Sequence, residues 1–169
     1  MTDATTRREQ SSLQASVSPG SVVVASTGAS PFEQVLLDGR HILHADEPIA
    51  SGGHDSGPGP YELLLMALGS CTSMTVHLYA ARKKWPLEQV VVTLKHAKAY
   101  AEDCADCEKP TAKIDRIDKT LAFIGPLDEA QRSRLVEIAG QCPVHRTLTS
   151  KIEIHTTLEA TSATAATAR

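Results

Sequence analysis

The residues best suited to chemistry in this chain are its four cysteines, Cys71, Cys104, Cys107 and Cys142, followed by its seven histidines. A cysteine thiolate can act as a nucleophile, a metal ligand or a two-electron redox centre, and its surroundings select among these. Cys71 lies within GPGPYELLLMALGSCTSM, residues 57–74, on an apolar stripe at helical spacing, where a cysteine is by default a small hydrophobe. Cys142 stands at the exit of a second helical pattern, directly before Pro143, where the backbone is irregular and simple packing explains it less well. Two such cysteines in different elements can meet in a fold, and spacing alone does not decide whether they do. Cys104-Ala-Asp-Cys107 has the spacing of half a zinc knuckle, but the second ligand pair is missing. His54 and His96 are its nearby candidates, and an exposed loop is the simpler expectation. A thioredoxin-like role would need that motif to open a helix beside a parallel sheet. None of His41, His44, His54, His77, His96, His145 and His155 forms a His-x-x-x-His pair, so a metalloenzyme finds no support. His145, three residues after Cys142, suits a Cys-His acyl transferase in principle and a helical-turn position more simply.

Positioning these residues requires a mixed α+β scaffold. SVVVAS at 21–26 and FEQVLLD at 32–38 read as strands, and Asp38-Gly39 is a hairpin signal leading into HILHA. The front of the domain is therefore expected to be a β-meander. Residues 46–60, with four glycines and three prolines, predict a long irregular loop able to approach a site. From Tyr61 to about Lys84 the period changes: Leu64, Ala67, Leu68, Cys71, Met74, Thr75 and Leu78 recur at three- and four-residue steps. Pro60 suits the first helical position, and Arg82 to Lys84 suit the end where the helix dipole favours positive charge. Two strands follow, LEQVVVTLKHAKAY and KIDRIDKTLAFIG, then a helix over about Asp128 to Gly140, a helical turn or two in VHRTLTS, and a closing strand KIEIHTTLE. The predicted order is βββ-α-ββ-α-β with mostly antiparallel pairing.

The 169 residues and 41% hydrophobic composition fit one domain with a real core, placed at residues 21–158, with tails at 1–20 and 159–169 too polar or too small-chained to order. A net charge of −3, with no like-charge run beyond Arg82-Lys83-Lys84, argues against nucleic acid as a partner. The first residues lack the apolar core of a signal peptide, and no stretch approaches the roughly 18 apolar residues of a membrane span, so a soluble, cytoplasmic protein is expected. In that compartment the cysteines rest as thiols. No glycine-rich phosphate loop, internal repeat or Gly-x-Ser-x-Gly elbow is present, which disfavours nucleotide-dependent chemistry and serine hydrolysis.

ADEP at 45–48, Gly52-Gly53, GPGPYELLLMALGSCTSMTV at 57–76 and CPVHRTL at 142–148 resemble, in type and order, the OsmC/Ohr family of osmotically induced and organic-hydroperoxide-resistance proteins, and the OsmC-like branch in particular. The similarity spans roughly residues 32–158. It implies an intertwined homodimer with strands of both chains around long central helices. It also implies a cysteine peroxidase of the oxidative stress response, acting on organic hydroperoxides or hydrogen peroxide. By that likeness Cys71 is the peroxidatic cysteine and Cys142 the resolving one, joined after oxidation in a Cys71–Cys142 disulfide. No cofactor is implied, and an external thiol or dithiol must reset the site. Apolar residues such as Leu64 and Met74 would receive the tail of a hydroperoxide. Relatives of the Ohr type carry a catalytic glutamate ten residues before the first cysteine. Here that slot is Tyr61, and Glu62 follows it as the candidate carboxylate. Nine helical residues turn about 900°, which sets Glu62 opposite Cys71 and suits a role at the helix N-terminus. The early arginine of that type has no counterpart in STGAS at 26–30, which leaves Arg40 and Arg146 as substitutes. A redox-sensing or apolar-ligand-binding module on the same fold is the alternative function.

Overall fold

The computed structural model describes residues 11–100 and 113–159. The cysteines Cys104 and Cys107 and the ends of both expected tails lie outside the described residues. Strands β1 (Val23–Ser26), β2 (Gln34–Leu37) and β3 (Ile42–Ala45) form an antiparallel meander in that order, with Val23 opposite Leu37 and Leu37 opposite Ile42. Val35, Leu37 and Ala45 turn to the buried side. The β2–β3 turn is centred one residue later than the Asp38-Gly39 signal suggests. Asp38 Oδ1 accepts the amides of Arg40 and His41 at 2.9 and 2.6 Å, and Gly39 takes a φ of 88° that a side chain would oppose.

The loop after β3 is more ordered than its composition predicts. A 3₁₀ turn at Ile49–Ser51 interrupts it. Asp46, 2% exposed, gathers the rest: its Oδ1 accepts the Glu47 amide, and its Oδ2 accepts the amides of His54 and Ser56 and the Ser56 hydroxyl. Chain and loop then approach so closely that a Cβ on Gly53 would stand 1.9 Å from the Glu47 carbonyl oxygen, and one on Gly57 2.3 Å from that of His44.

Helix α1 (Pro60–Lys83) opens with Pro60 at its first position, and Glu62 Oε2 accepts the Gly59 amide at 2.7 Å. Its last turn holds Arg82 and Lys83, and Lys84 closes it in the left-handed conformation. The buried stripe is Leu68, Thr72, Val76 and Ala80. Of the stripe predicted from sequence, Leu68 alone is buried, whereas Leu64, Met74 and Leu78 are exposed. An 18-residue window of this helix has mean hydropathy 1.4, so by length and composition alone it is long and apolar enough to cross a membrane, whereas the sequence reading expects no stretch to approach that limit. In the fold it is the central element, packed against the following strand and both later helices.

Strands β4 (Gln89–Tyr100) and β5 (Lys113–Ile124) form a long antiparallel hairpin, from Gln89 opposite Ile124 to Tyr100 opposite Lys113. Helix α2 (Glu129–Ala139) starts at a reciprocal cap: Asp128 Oδ1 accepts the Gln131 amide and Gln131 Oε1 accepts the Asp128 amide. It ends where Lys119 Nζ donates to the Ala139 carbonyl at 2.9 Å, a cation at the electronegative end of the helix. The core joins Val76 and Ala80 of α1 to Leu127, Leu135, Ile138 and Ala139, closed by Tyr79, Trp85 and Phe123. A short α3 (Pro143–Leu148) follows.

The architecture is α+β, with antiparallel sheets and one long helix. One expected element is missing within this single chain: residues 151–159 form no strand, and Ile152, Ile154 and Leu158 are 51%, 87% and 99% exposed. Alternating apolar residues favour a strand only where a neighbouring edge supplies hydrogen bonds and a surface to cover. No described strand of this chain pairs with the segment.

Candidate functional site

Cys142 is fully buried at the N-cap of α3, where Pro143 needs no amide partner and the thiol sulfur accepts the His145 amide at 3.4 Å. Its second contact is Thr72 Oγ1 at 3.3 Å, on the buried stripe of α1. The Thr72 hydroxyl donates to the Leu68 carbonyl at 2.8 Å. A hydroxyl has a single proton, so with that proton committed the Cys142 S–H donates to the threonine oxygen. Cys71 is the residue before Thr72, half-buried, about 100° around the helix. Its carbonyl accepts the Thr75 hydroxyl at 2.8 Å. Both thiols are free. The fold thus seats Cys142 against α1 at the position adjoining Cys71, through a threonine that nothing in the sequence singles out except its place beside a cysteine.

The other predicted residues are not at this point. Glu62 lies nine residues earlier, about 13 Å along the helix axis, with its carboxylate engaged by the Gly59 amide. Tyr61, in the slot of the family glutamate, stacks on His96 of β4 with ring centroids 4.5 Å apart and 14° between planes. His96 Nε2 in turn pairs with Asp115 of β5 at 2.8 Å, and Lys98 Nζ lies 3.1 Å from the same carboxylate. The hydrogen bonds from His96 and Lys98 hold the Asp115 carboxyl below the usual carboxylate range. Arg40 and Arg146 are exposed, and among the described residues neither side chain forms an ion pair or hydrogen bond with a cysteine. His145 touches Cys142 through its backbone amide, so the described hydrogen bonds include no Cys-His pair of the transferase type.

Two hollows border α1, and neither is lined by Cys71, Thr72 or Cys142. A groove of about 580 Å³ runs between α1 and β4, lined by Leu65, Met66, Ser70, Ser73, Val92 and Leu94 among others. Gly69 lets β4 come close here, since a Cβ would meet Leu94 Cδ1 at 2.8 Å. A smaller cavity of about 210 Å³ lies between β5 and α3, with Leu68, Asp115, Lys119 and His145 in its wall. Leu64 and Met74, expected to line a pocket, line neither of these. Elsewhere, Glu33, Asp46 and His54 bring potential metal-ligating atoms within 4.8 Å of one another. The Asp46 carboxylate there already accepts four hydrogen bonds that shape its loop.

Comparison with known proteins identifies the family and the fold. Residues 53–157 match the family model described as OsmC-like protein. An OsmC-like protein from Mycoplasma pneumoniae has a similar structure, with TM-score 0.58 and 18% identity over 76% of this chain and 85% of that one. So does an organic hydroperoxide resistance protein OsmC from Legionella pneumophila, with TM-score 0.54 and 20% identity over 76% of this chain and 89% of that one. An OsmC-like protein of unknown function from Vibrio cholerae gives TM-score 0.56 at 14% identity, over 80% and 96% of the two chains. No curated protein matches the sequence. At these identities the solved structures speak to the fold, while the match over residues 53–157, which cover most of the domain and both described cysteines, settles membership: this chain belongs to the OsmC-like protein family.

Proposed function

We propose that the protein is a cysteine peroxidase that reduces organic hydroperoxides or hydrogen peroxide. The observation that carries this reading is the seating of buried, free Cys142 on Thr72, the residue next to Cys71. The Cys71 thiolate attacks the terminal peroxide oxygen; the O–O bond breaks, an alcohol or water leaves, and Cys71 becomes a sulfenic acid. The Cys142 sulfur then attacks the Cys71 sulfur, the S–O bond breaks, and the Cys142 proton leaves with the hydroxide as water. An external thiol or dithiol reduces the resulting disulfide by exchange and is itself oxidised. The name of the Legionella relative, an organic hydroperoxide resistance protein, fits the same substrate class. Glu62, bound to its helix N-terminus, contributes to this scheme by fixing the start of α1.

The working form in this reading is a cytoplasmic homodimer. Its support is the apolar surface that one chain leaves open: Met66, Met74 and Leu78 on α1, and Ile152, Ile154 and Leu158 at the C-terminal end. The groove of about 580 Å³ favours a second reading, a redox-sensing module that holds a small apolar ligand and does not turn over.

Stopped-flow oxidation with cumene hydroperoxide separates the two. The peroxidase loses two thiols per chain rapidly, loses none at the site in Cys71→Ser, and stops at a trappable sulfenic acid in Cys142→Ser. Sluggish oxidation with no turnover under any thiol reductant, together with a co-purified apolar molecule retained in both variants, would replace it with the ligand-binding module.

A further inference from the structure

We propose that Thr72 is a positioning residue for Cys142, holding it as a neutral, hydrogen-bonded thiol beside Cys71 until the disulfide-forming step; the role rests on the peroxidase reading above. Four features converge on it. Thr72 and Cys142 are both fully buried, so their contact does not compete with water. The Thr72 proton is committed to the Leu68 carbonyl, which leaves its oxygen to accept the Cys142 S–H. The His145 amide donates to the same sulfur, so the thiol is held as donor and acceptor at once. Finally, Thr72 belongs to the same helix as Cys71 and directly follows it, so anchoring Cys142 there fixes it relative to its target.

During disulfide formation the Cys142 sulfur must leave Thr72 Oγ1 and bond to the Cys71 sulfur. The S–H bond breaks, and its proton joins the hydroxide released from the sulfenic acid. A valine at position 72 has nearly the same shape and no hydroxyl, so it removes the hold with little change in volume. Serine keeps the acceptor.

Two measurements test this. The first is the infrared S–H stretch of Cys142 in protein whose other three cysteines are serine. It should lie at a lower, hydrogen-bonded frequency with Thr72, move up in Thr72→Val and return in Thr72→Ser. The second is the rate of Cys71–Cys142 disulfide closure, followed after a peroxide pulse and, separately, with diamide. Diamide takes up the Cys71 thiolate at its azo nitrogen, and Cys142 then displaces the reduced hydrazine, so closure is read without any peroxide chemistry. Thr72→Val should slow closure about tenfold with either oxidant and let the Cys71 adduct accumulate, and Thr72→Ser should recover most of the rate. Closure at the wild-type rate in Thr72→Val, or a stretch that does not move, overturns the proposal. Failure of the peroxide reaction alone, with diamide closure intact and sensitive to Thr72, overturns the peroxidase reading and upholds the role of Thr72 in positioning the thiol.

Discussion

The loop over residues 46–57 and the segment over residues 151–159 invert what their compositions suggest. The loop is rich in glycine and polar residues, yet it is pinned: Asp46 is buried with both carboxylate oxygens occupied, and Gly53 and Gly57 press against backbone carbonyls. The C-terminal segment has the alternation of a strand, yet it lies open with Ile154 and Leu158 almost wholly exposed. The difference is one of partners. A polar loop becomes rigid when a single buried acceptor collects its amides, and a strand forms only beside another edge. Each can be tested by removing or supplying the partner.

The largest effect belongs to the glycines. Gly57→Ala places a Cβ 2.3 Å from the His44 carbonyl oxygen, and backbone on both sides must shift. A loss of about 3 kcal/mol in urea unfolding is expected, the upper end of what overpacking costs. An unfolding midpoint equal to wild type would mean that the loop is not pinned.

Asp46→Asn comes next. Burial raises the Asp46 carboxyl, but the amides of Glu47, Ser56 and His54 and the Ser56 hydroxyl outweigh it and hold the group below its ordinary 3.8. A carboxyl lowered in the folded state contributes stability that is complete above pH 3.8 and is lost as pH falls through the lower folded value. Asparagine turns an N–H toward amides that need an acceptor. The variant should therefore be less stable than wild type at neutral pH, and the gap should narrow as pH drops below 3.8. A gap independent of pH would assign the effect to packing alone.

Much of the scaffold was legible because local signals and tertiary partners agree. Pro60 at the start of α1, the helix beginning at Asp128, and the strands β4 and β5 are all used as their sequence implies. The loop hub was not legible, since Asp46 finds its donors eight and ten residues away through turns that no period announces. Nor was the buried stripe of α1. Leu63, Leu64, Leu65 and Met66 are four consecutive apolar residues, so periodicity allows several inward faces. Tertiary contact selects the one centred on Leu68, Thr72, Val76 and Ala80. That choice places a threonine rather than a cysteine against Cys142, and no motif or period in the sequence marks Thr72 for that contact.

Tyr61→Ala probes the same helix at its start with a smaller effect. The ring stacks on His96 but is 56% exposed, so about 0.5 kcal/mol is expected, the low end for aromatic pairs. A much larger loss would show that the Tyr61–His96–Asp115 chain ties α1 to the β4–β5 hairpin more firmly than one stacked pair can.

Ile154→Lys should barely change the stability of an isolated chain, because the side chain is 87% exposed and touches no core. Surface changes of that kind fall within about 0.5 kcal/mol. The proposed homodimer makes a different prediction for the same substitution. If the alternating residues of 151–159 become a strand by pairing with a second copy, Ile154 faces an apolar layer in the assembly, and a lysine there carries an uncompensated charge into it. Sedimentation velocity across a concentration series should then show the wild type as dimer and the variant shifted toward monomer. Conservative Ile154→Val should remain dimeric. Equal sedimentation of all three would leave the segment without a role in assembly, and the contrast with the loop would then reduce to burial: Asp46 is enclosed by its own chain, while Ile154 meets nothing in any form of the protein.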